Sequence, residues 1–262
     1  MSPVQPAPRA SRPSSPQLTP YLALFVSDLH LDPALPATTA RFLRFLEESA
    51  PQAQALYLLG DIFEAWIGDD DLASDFNRRV VDALAALAAR HVALYWIAGN
   101  RDFLAGATFA RAAHLTLLDD PHVLTLGGQR LVLTHGDALC TDDTAYMAFR
   151  KQVRDPAWQQ AFLDQPLAAR KKIAEGMRQQ SRESQRMKAA QIMDVNQQAV
   201  ENLFAASGAQ VMVQGHTHRP ARHEHGGGRL RHVLPDWDLD HGQPRGGWLA
   251  LDHEGKFSEV RF

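Results

Sequence analysis

Five short polar clusters, each directly after an apolar run, constrain this chain more than any other feature of its sequence. They are Ser27-Asp28-Leu29-His30, Gly60-Asp61, Gly99-Asn100-Arg101-Asp102, Thr134-His135-Gly136-Asp137 and Gly215-His216-Thr217-His218. In α/β folds the carboxyl ends of strands collect functional side chains, because the loops that follow them converge over the sheet. The pattern therefore predicts strands that deliver polar residues to one shared site.

Seven side chains of these clusters, all of types that bind metal ions, form the expected ligand set. Asp28 and His30 are two residues apart, as are His216 and His218, so in extended backbone both members of a pair point to the same side. Seven oxygen and nitrogen ligands are too many for one tetrahedral zinc ion and suit two metal ions that share a carboxylate. The expected metal ligands are Asp28, His30, Asp61, Asn100, His135, His216 and His218.

The order of apolar and Ala-rich runs predicts an α/β fold. Residues 21–26, 55–59 and 91–98 have the pattern of strands, and residues 37–49 and 73–90 between them that of helices. Further strands are expected at 123–126 and 130–134, which form a hairpin around two glycines, and at 210–214, 230–234 and 248–251. Early alternation and late hairpins favour a mixed sheet, or two stacked mixed sheets, flanked by helices.

Composition and charge narrow the class of protein. A formal net charge of −3 argues against a general nucleic-acid binder, and the single cysteine, Cys140, excludes a disulfide framework and a Cys-rich zinc site. No apolar run approaches the roughly 20 residues of a membrane span, and the N-terminus lacks the apolar core of a signal peptide. We expect a cytoplasmic protein.

The chain divides into an N-terminal extension and one domain. Residues 1–20 hold six of the 15 prolines and no acidic residue, a composition that favours disorder. The domain is expected to run from 21 to 262, with a helical insertion at about 141–208 that is rich in Ala, Gln, Arg, Lys and Met.

The insertion combines positive charge with apolar side chains. Between residues 145 and 193 there are ten basic and four acidic residues, and large apolar residues such as Trp158 and Phe162 are interleaved with them. One interpretation is an amphipathic segment whose apolar face packs on the core. The other is a cap over a site for something both anionic and apolar, with Trp158 and Phe162 as candidate membrane anchors and Arg170 among the cations that face the membrane. Composition alone does not decide between them.

Five motifs give the chain a resemblance to a known family. They are Ser-Asp-Leu-His-Leu at 27–31, Leu-Leu-Gly-Asp-Ile-Phe-Glu-Ala-Trp-Ile-Gly-Asp-Asp at 58–70, Gly-Asn-Arg-Asp-Phe at 99–103, Ile-Met-Asp-Val-Asn at 192–196 and Gly-His-Thr-His-Arg-Pro at 215–220. The ligand set resembles that of the calcineurin-like metallophosphoesterase superfamily. The motifs together, over roughly residues 21–250, are similar to those of the UDP-2,3-diacylglucosamine pyrophosphohydrolases within it.

The resemblance implies a fold, an activity and a cofactor. The fold would be an α/β sandwich of two stacked mixed β-sheets flanked by helices, with the insertion as a helical lid. The activity would be hydrolysis of UDP-2,3-diacylglucosamine to UMP and 2,3-diacylglucosamine 1-phosphate (lipid X) in lipid A biosynthesis. The cofactor would be two Mn²⁺ ions. Because such a substrate lies in the bilayer and the sequence shows no transmembrane helix, we expect a peripheral protein on the cytoplasmic side of the bacterial inner membrane. The charge argues against a nucleic-acid partner, and no obligate protein partner is evident from the sequence.

The resemblance also implies residue roles. Asp28, His30, Asp61 and His218 would hold one metal ion. The second would be held by Asp61 as a bridge and by Asn100, His135 and His216. The catalytic residues would be Asp61, Asn100, Arg101 and His135. The substrate contacts would be Asn100, Arg101, Asp143, Ser181, Gln185, Lys188 and His216. Gln185 and Pro235 depart from the family pattern, where Asn and Gly are expected.

The residue after Asn100 indicates the type of leaving group. Many related phosphoesterases have His there, which can protonate an alkoxide, whereas this chain has Arg101, which stays charged near neutral pH. A phosphate leaving group, with a second pKa near 6, needs no such proton. The sequence thus favours a diphosphate substrate, attacked at the α-phosphorus by hydroxide formed from metal-activated water.

Two alternatives stay open at this stage. One is a phosphodiesterase or phosphatase of the same fold that acts on a soluble nucleotide or a phosphoprotein. The other is a non-catalytic scaffold, which could lose metal ligands freely, whereas all seven are present here.

Overall fold

Two β-sheets organise the part of the chain that the computed structural model describes. That part is residues 19–187 and 194–262, with the backbone alone described from 180 to 187. Residues 1–18, which make up most of the extension expected to be disordered, lie outside it. The two mixed sheets agree with the predicted fold class.

Parallel strands from the N-terminal half form the centre of the first sheet. These are β1 (Tyr21–Val26), β2 (Ala53–Leu59), β3 (Ala93–Ile97) and β4 (Leu115–Leu118). Near the end of the chain, β10 (Gly247–Asp252) adds antiparallel to β1, and β11 (Phe257–Arg261) adds to β10. The sequence patterns do not predict β4 and β11, which are the two edge strands.

The second sheet has a parallel centre and antiparallel edges. Its strands in spatial order are β5 (His122–Leu126), β6 (Gln129–Thr134), β7 (Val211–Gln214), β9 (Arg229–Val233) and β8 (Ala221–His225). The strands β6, β7 and β9 are parallel neighbours, and β5 and β6 form the predicted hairpin. The sequence does not predict the edge strand β8 because its residues, Ala-Arg-His-Glu-His, are mostly polar and lack the alternation of a half-buried strand.

The two sheets pack face to face through every second residue of their strands. Phe25 of β1 and Tyr57 of β2 point to the second sheet and stack with ring centroids 5.1 Å apart. Leu133 of β6 and Val213 of β7 face them from the other side. Since side chains alternate across a strand, the intervening residues of both sheets point outward to helices.

Helices cover the outer faces of both sheets. On the first sheet these are α1 (Pro36–Glu48), α2 (Asp75–Ala88) and α3 (Ala107–Ala112). On the second sheet, α7 (Gln197–Ser207) packs Val200 and Phe204 against Val132 and Met212. Asn196 caps α7 by accepting a hydrogen bond from the Ala199 N–H, and Gly208, in the left-handed region, ends it. The helix α7 lies at the end of the predicted insertion but belongs to this outer layer.

The rest of the insertion, as far as the structure describes it, contains three helices attached to the first sheet's side of the molecule. They are α4 (Thr144–Val153), α5 (Pro156–Leu163) and α6 (Leu167–Met187). Trp158 and Phe162 stack with centroids 5.2 Å apart and pack on the main hydrophobic core, where Phe162 is buried. The interpretation of Phe162 as a membrane anchor is therefore wrong, because protein already covers its ring. Trp158 is partly covered in the same way.

Arg170 of α6 is also buried instead of facing solvent. Its guanidinium forms an ion pair with Asp70 and donates to the carbonyl oxygens of Ile67 and Gln165. The interpretation of Arg170 as a cation that faces a membrane is thus wrong, because its charge is used to fasten the insertion to the core. No helix within the described ranges is long and apolar enough to span a membrane.

We expect Phe25→Ala to destabilise the protein by about 3–5 kcal/mol, because it removes a fully buried ring from between the sheets. Leu117→Ala, at a side chain that is 39% exposed on β4, should change stability by less than about 0.5 kcal/mol. Denaturant unfolding of both variants measures the difference. Equal effects would contradict face-to-face packing at this position.

Candidate dimetal site

The predicted metal ligands lie just beyond the carboxyl ends of five strands. Asp28 and His30 follow β1, and Asp61 follows β2. Asn100 comes after β3, His135 directly after β6, and the two histidines of 215–218 after β7. Since β1, β2 and β3 are parallel neighbours, as are β6 and β7, these loops meet at one end of the sandwich.

Five of the seven residues have backbone in the left-handed region, which residues other than glycine rarely adopt. They are Asp28 (φ 54°), His30 (φ 47°), Asp61 (φ 53°), His216 (φ 70°) and His218 (φ 53°). Such conformations cost about 1–3 kcal/mol each and persist where the surrounding structure enforces them. At two of these residues backbone hydrogen bonds do so, from the Asp28 N–H to the Gly60 oxygen (3.0 Å) and from the His30 N–H to the Asp61 oxygen (2.9 Å).

A first group of potential ligands consists of Asp28, His30 and His218. Asp28 Oδ1 lies 3.4 Å from His218 Nε2 and 4.0 Å from His30 Nε2, and the two Nε2 atoms are 3.2 Å apart. His30 Nδ1 lies 3.0 Å from Glu64 Oε2, and His218 Nδ1 lies 3.6 Å from Asp236 Oδ2. If the Nδ1 atoms carry the protons toward these carboxylates, both Nε2 atoms present lone pairs to each other.

A second group consists of Asp28, Asp61 and His135. His135 Nδ1 donates to the Leu59 carbonyl oxygen (2.9 Å), which leaves Nε2 facing Asn100 Oδ1 at 3.0 Å and Asp61 Oδ1 at 3.6 Å. Asp61 Oδ2 lies 3.9 Å from His30 Nε2, so this carboxylate faces both groups. The His216 ring stands 5.0 Å from the His135 ring.

The cluster fits cations. Asp28 Oδ1 is buried and has no hydrogen-bond partner within the described ranges, although buried polar oxygens are nearly always paired. It points at nitrogen lone pairs, an arrangement that is repulsive unless positive charge lies between them. Carboxylate oxygen and imidazole nitrogen together suit first-row divalent metal ions.

The pKa values of the cluster indicate the same demand for positive charge. Burial by itself would raise the pKa of Asp28, but the neighbouring histidines, His218 foremost, hold it well below its usual range. Burial would lower the pKa of His135, but Asp61 and Asp28 outweigh burial and raise that pKa to about 9. Burial and the charge of His135 lower the pKa of His216 to about 4, which keeps its ring neutral and able to bind a metal ion.

Asp102 was not assigned a role from sequence, yet its carboxylate joins two of the loops. It is fully buried and accepts hydrogen bonds from the N–H groups of Gly99 (2.7 Å), Ile62 (2.8 Å) and Asp61 (3.2 Å). Burial and the charge of Asp61 raise its pKa to about 6. Its place three residues after Gly99 in the third cluster was the signal that could have found it.

Two glycines let the loops approach more closely than any side chain would permit. A Cβ atom on Gly99 would collide with the Asp61 carboxylate and backbone nitrogen. One on Gly215 would collide with Asp28 and Ser27. The bare backbone at these positions is what brings the loops into contact.

The long motif at 58–70 connects the site to the insertion. Glu64 contacts His30, as described above, and Asp69 caps α3 by accepting from the N–H groups of Thr108 and Phe109 (both 2.9 Å). Asp70 pairs with Arg170 of α6. The motif thus contacts the loop of His30 at one end and the insertion at the other. The sequence analysis did not assign these contacts to the acidic residues that follow Asp61.

The helix α4 contacts the opposite side of the site. Tyr146 donates to Asp137 (2.7 Å), and its ring lies 5.9 Å from the His216 ring. Arg150 Nε also donates to Asp137, at 2.8 Å. Arg154 donates to the Gly99 carbonyl oxygen at 2.9 Å. The insertion therefore borders the cluster through α4 as well as α6.

The structure describes some, but not all, of the residues predicted to contact the substrate. Arg101 donates its backbone N–H to Asp61 Oδ1 (2.7 Å), and its charge helps to lower the pKa of Glu64. Asp143 caps α4 by accepting from the Tyr146 N–H (3.0 Å). The side chains of Ser181 and Gln185, and all of Lys188, lie outside the described residues. Pro235, the second departure from the family pattern, precedes Asp236 in the loop after β9.

Fold and site together define a class of protein. The chain belongs to the calcineurin-like phosphoesterase family, whose model matches residues 22–220. Its sequence is similar to proteins named UDP-2,3-diacylglucosamine hydrolase. The relative from Aromatoleum aromaticum is 51% identical over 83% of this chain and 90% of its own length. The relative from Ralstonia nicotianae is 45% identical over 94% of both chains, and that from Stenotrophomonas maltophilia is 51% identical over 82% and 90%.

We expect Gly99→Ala to lower both the metal content and the activity of the protein, because its Cβ displaces the Asp61 side chain. Gly176→Ala is the matched control, since its Cβ meets open space and alanine favours the helix by about 1 kcal/mol. Metal analysis of the purified variants and their thermal unfolding separate loss of the site from loss of the fold. Full metal content in Gly99→Ala would contradict the close approach of the two loops.

Proposed function

We propose that this protein hydrolyses the pyrophosphate bond of UDP-2,3-diacylglucosamine, giving UMP and 2,3-diacylglucosamine 1-phosphate in lipid A biosynthesis. The observation that carries the proposal is Arg101 beside the metal-ligand cluster: its backbone is bonded to Asp61, and its buried Nε has no hydrogen-bond partner among the described residues. A guanidinium with a free donor beside a dimetal site suits a diphosphate. The identity of the rest of the substrate is taken from the names of the relatives.

Metal binding in this proposal follows the two groups of the cluster. One ion would be held by Asp28, His30, Asp61 and His218, and the other by Asp61, Asn100, His135 and His216. We take Mn²⁺ as the native ion. Bound metal ions would lower the pKa of water toward neutrality and offset charge on the phosphates. The support from the structure is that Asp61 faces both groups.

The protein's own residues then orient the diphosphate and stabilise the leaving group. Arg101 can offer two parallel N–H donors to the phosphate that departs, and it keeps its charge throughout the reaction. The departing sugar phosphate leaves as an anion with a second pKa near 6, so no general acid is required. This explains why arginine, not histidine, follows Asn100 in a diphosphate hydrolase.

Hydrolysis in ¹⁸O-labelled water should place the label in UMP, because the proposal puts attack at the α-phosphorus. Mass spectrometry of the products from UDP-2,3-diacylglucosamine measures this, with Asp61→Ala as the control expected to abolish turnover. Label in the sugar phosphate would mean attack at the β-phosphorus. Turnover confined to soluble phosphodiesters or phosphoproteins would favour the alternative hydrolases of the same fold.

The insertion has two roles in the proposal, as a lid over the substrate and as a contact with the cytoplasmic face of the inner membrane. Several of its cations are used internally, since Arg150, Arg170, Lys171 and Arg178 are in ion pairs. Within the described residues Lys151 and Lys172 are exposed cations of the insertion without an ion pair. Phe149 and Leu163 remain as its large exposed apolar side chains there, at 38% and 36%.

Replacing Lys151 and Lys172 together with Gln should weaken binding to anionic lipid vesicles by about fivefold per lysine, the effect of one basic residue near such a surface. Lys256→Gln, an exposed cation outside the insertion, is the control. Vesicle sedimentation at low and physiological salt measures binding. If neither salt nor the double substitution changes binding, the membrane role is wrong and the insertion serves the substrate alone.

A further inference from the structure

Glu64 lies between a predicted metal ligand and the helical insertion. One carboxylate oxygen, Oε2, is 3.0 Å from His30 Nδ1, and the other, Oε1, is 4.0 Å from Nε of Arg178 on α6. The Nε atom of Arg178 has no hydrogen bond within the described ranges, and its Nη1 pairs with Asp32 at 3.3 Å. Both side chains are mostly buried, with 19% and 23% exposed. A continuous row of side-chain contacts therefore runs from Arg178 of the insertion through Glu64 to the predicted metal ligand His30.

The contact with Glu64 determines what His30 can do. A carboxylate at Nδ1 selects the tautomer with the proton on that atom, which leaves Nε2 free to bind a metal ion and fixes the ring plane. The Glu64 backbone is itself held, because its N–H donates to the Leu31 oxygen at 3.1 Å and the preceding residue, Phe63, pairs with Leu31. The carboxylate is thus placed by the loop that carries Asp61.

His218 has a similar arrangement that does not involve the insertion. Its Nδ1 faces Asp236 at 3.6 Å, and Asp236 accepts from Arg245 Nε at 2.8 Å. Asp236 and Arg245 both lie in the loop between β9 and β10, outside the insertion. Of these two arrangements, only the one at His30 receives its arginine from a separate structural unit.

We infer that Glu64 is a positioning residue for His30 and that Arg178 completes its alignment, so that docking of α6 strengthens binding at the first metal site. The inference rests on the dimetal site proposed above. Arg178 acts by restraining the carboxylate, since its nearest approach is an ion pair and not a hydrogen bond. Coupling between two sites is reciprocal, so metal binding must also favour the docked position of α6.

Calorimetric titration of the metal-free full-length chain with Mn²⁺ tests this without measuring activity. Glu64→Ala should weaken binding of one of the two ions by about 10–100-fold, the range for residues that orient metal-binding histidines. Glu64→Gln should recover part of the loss, because its amide oxygen can still accept from Nδ1. Arg178→Gln should weaken binding of the same ion by about two- to fivefold, the effect of an ion pair that keeps partial contact with solvent.

A double variant and a matched control distinguish an effect transmitted through Glu64 from a general weakening of the contacts of α6. Arg178→Gln should have no further effect in the Glu64→Ala background, because both substitutions act on the same interaction. Lys171→Gln removes the 3.0 Å ion pair between α6 and Asp71 but does not touch Glu64, so it should leave Mn²⁺ affinity unchanged. Additive losses in the double variant, or an equal loss in Lys171→Gln, would overturn the inference.

Limited proteolysis gives a second measurement that does not depend on the Glu64 variants folding. Mn²⁺ should protect the insertion from cleavage in the unmodified chain and protect it less in Arg178→Gln. Equal protection in both would also overturn the inference. If the unmodified chain fails to bind two ions at all, the dimetal proposal itself is wrong, and that result is distinguishable from normal binding with unaffected variants.

Discussion

The buried carboxylate of Asp102 is the interaction on which the rest of the site depends. By accepting hydrogen bonds from the N–H groups of Ile62 and Gly99, it joins the loop after β2 to the loop after β3. Those loops then approach so closely that Gly99 has no room for a Cβ atom beside Asp61. Contacts of the main chain thus help to position the predicted ligands, five of which have left-handed backbone.

Much of the fold could be predicted because buried strands have a distinctive local pattern. The run at 21–26 and the hairpin around Gly127-Gly128 lie where the sequence predicts them, since apolar residues bounded by turn residues suffice to locate them. The strand β8 could not be found in this way because its polar residues form a strand only through pairing with β9. The insertion was ambiguous for a related reason. A helical pattern shows an apolar face, but not whether protein or ligand covers that face, and Phe162 proved to be covered by protein.

The sequence could predict those site residues that are of metal-binding types and directly follow a strand. Asp28, Asp61 and His135 follow apolar runs and are brought together as expected. The residues that support them were less visible, because Glu64 and Asp236 have meaning only once His30 and His218 are in place. The charge of the insertion was misjudged for the same reason. A count of basic residues cannot show that Arg170 is buried and paired with an acidic residue one hundred positions earlier.

The parallel arrangement of the strands has a consequence for when the site can form. His30 and His218, whose Nε2 atoms touch, are 188 residues apart, and the neighbour of β1 on one side is β10, near the end of the chain. Contacts of such long range form late, after the entropy of closing very large loops has been overcome. During synthesis, the predicted ligands that follow the first strand can contact their partners only after almost the whole chain has been made. A nascent or truncated chain therefore carries the predicted ligands without the site, and the complete cluster becomes a marker of finished folding.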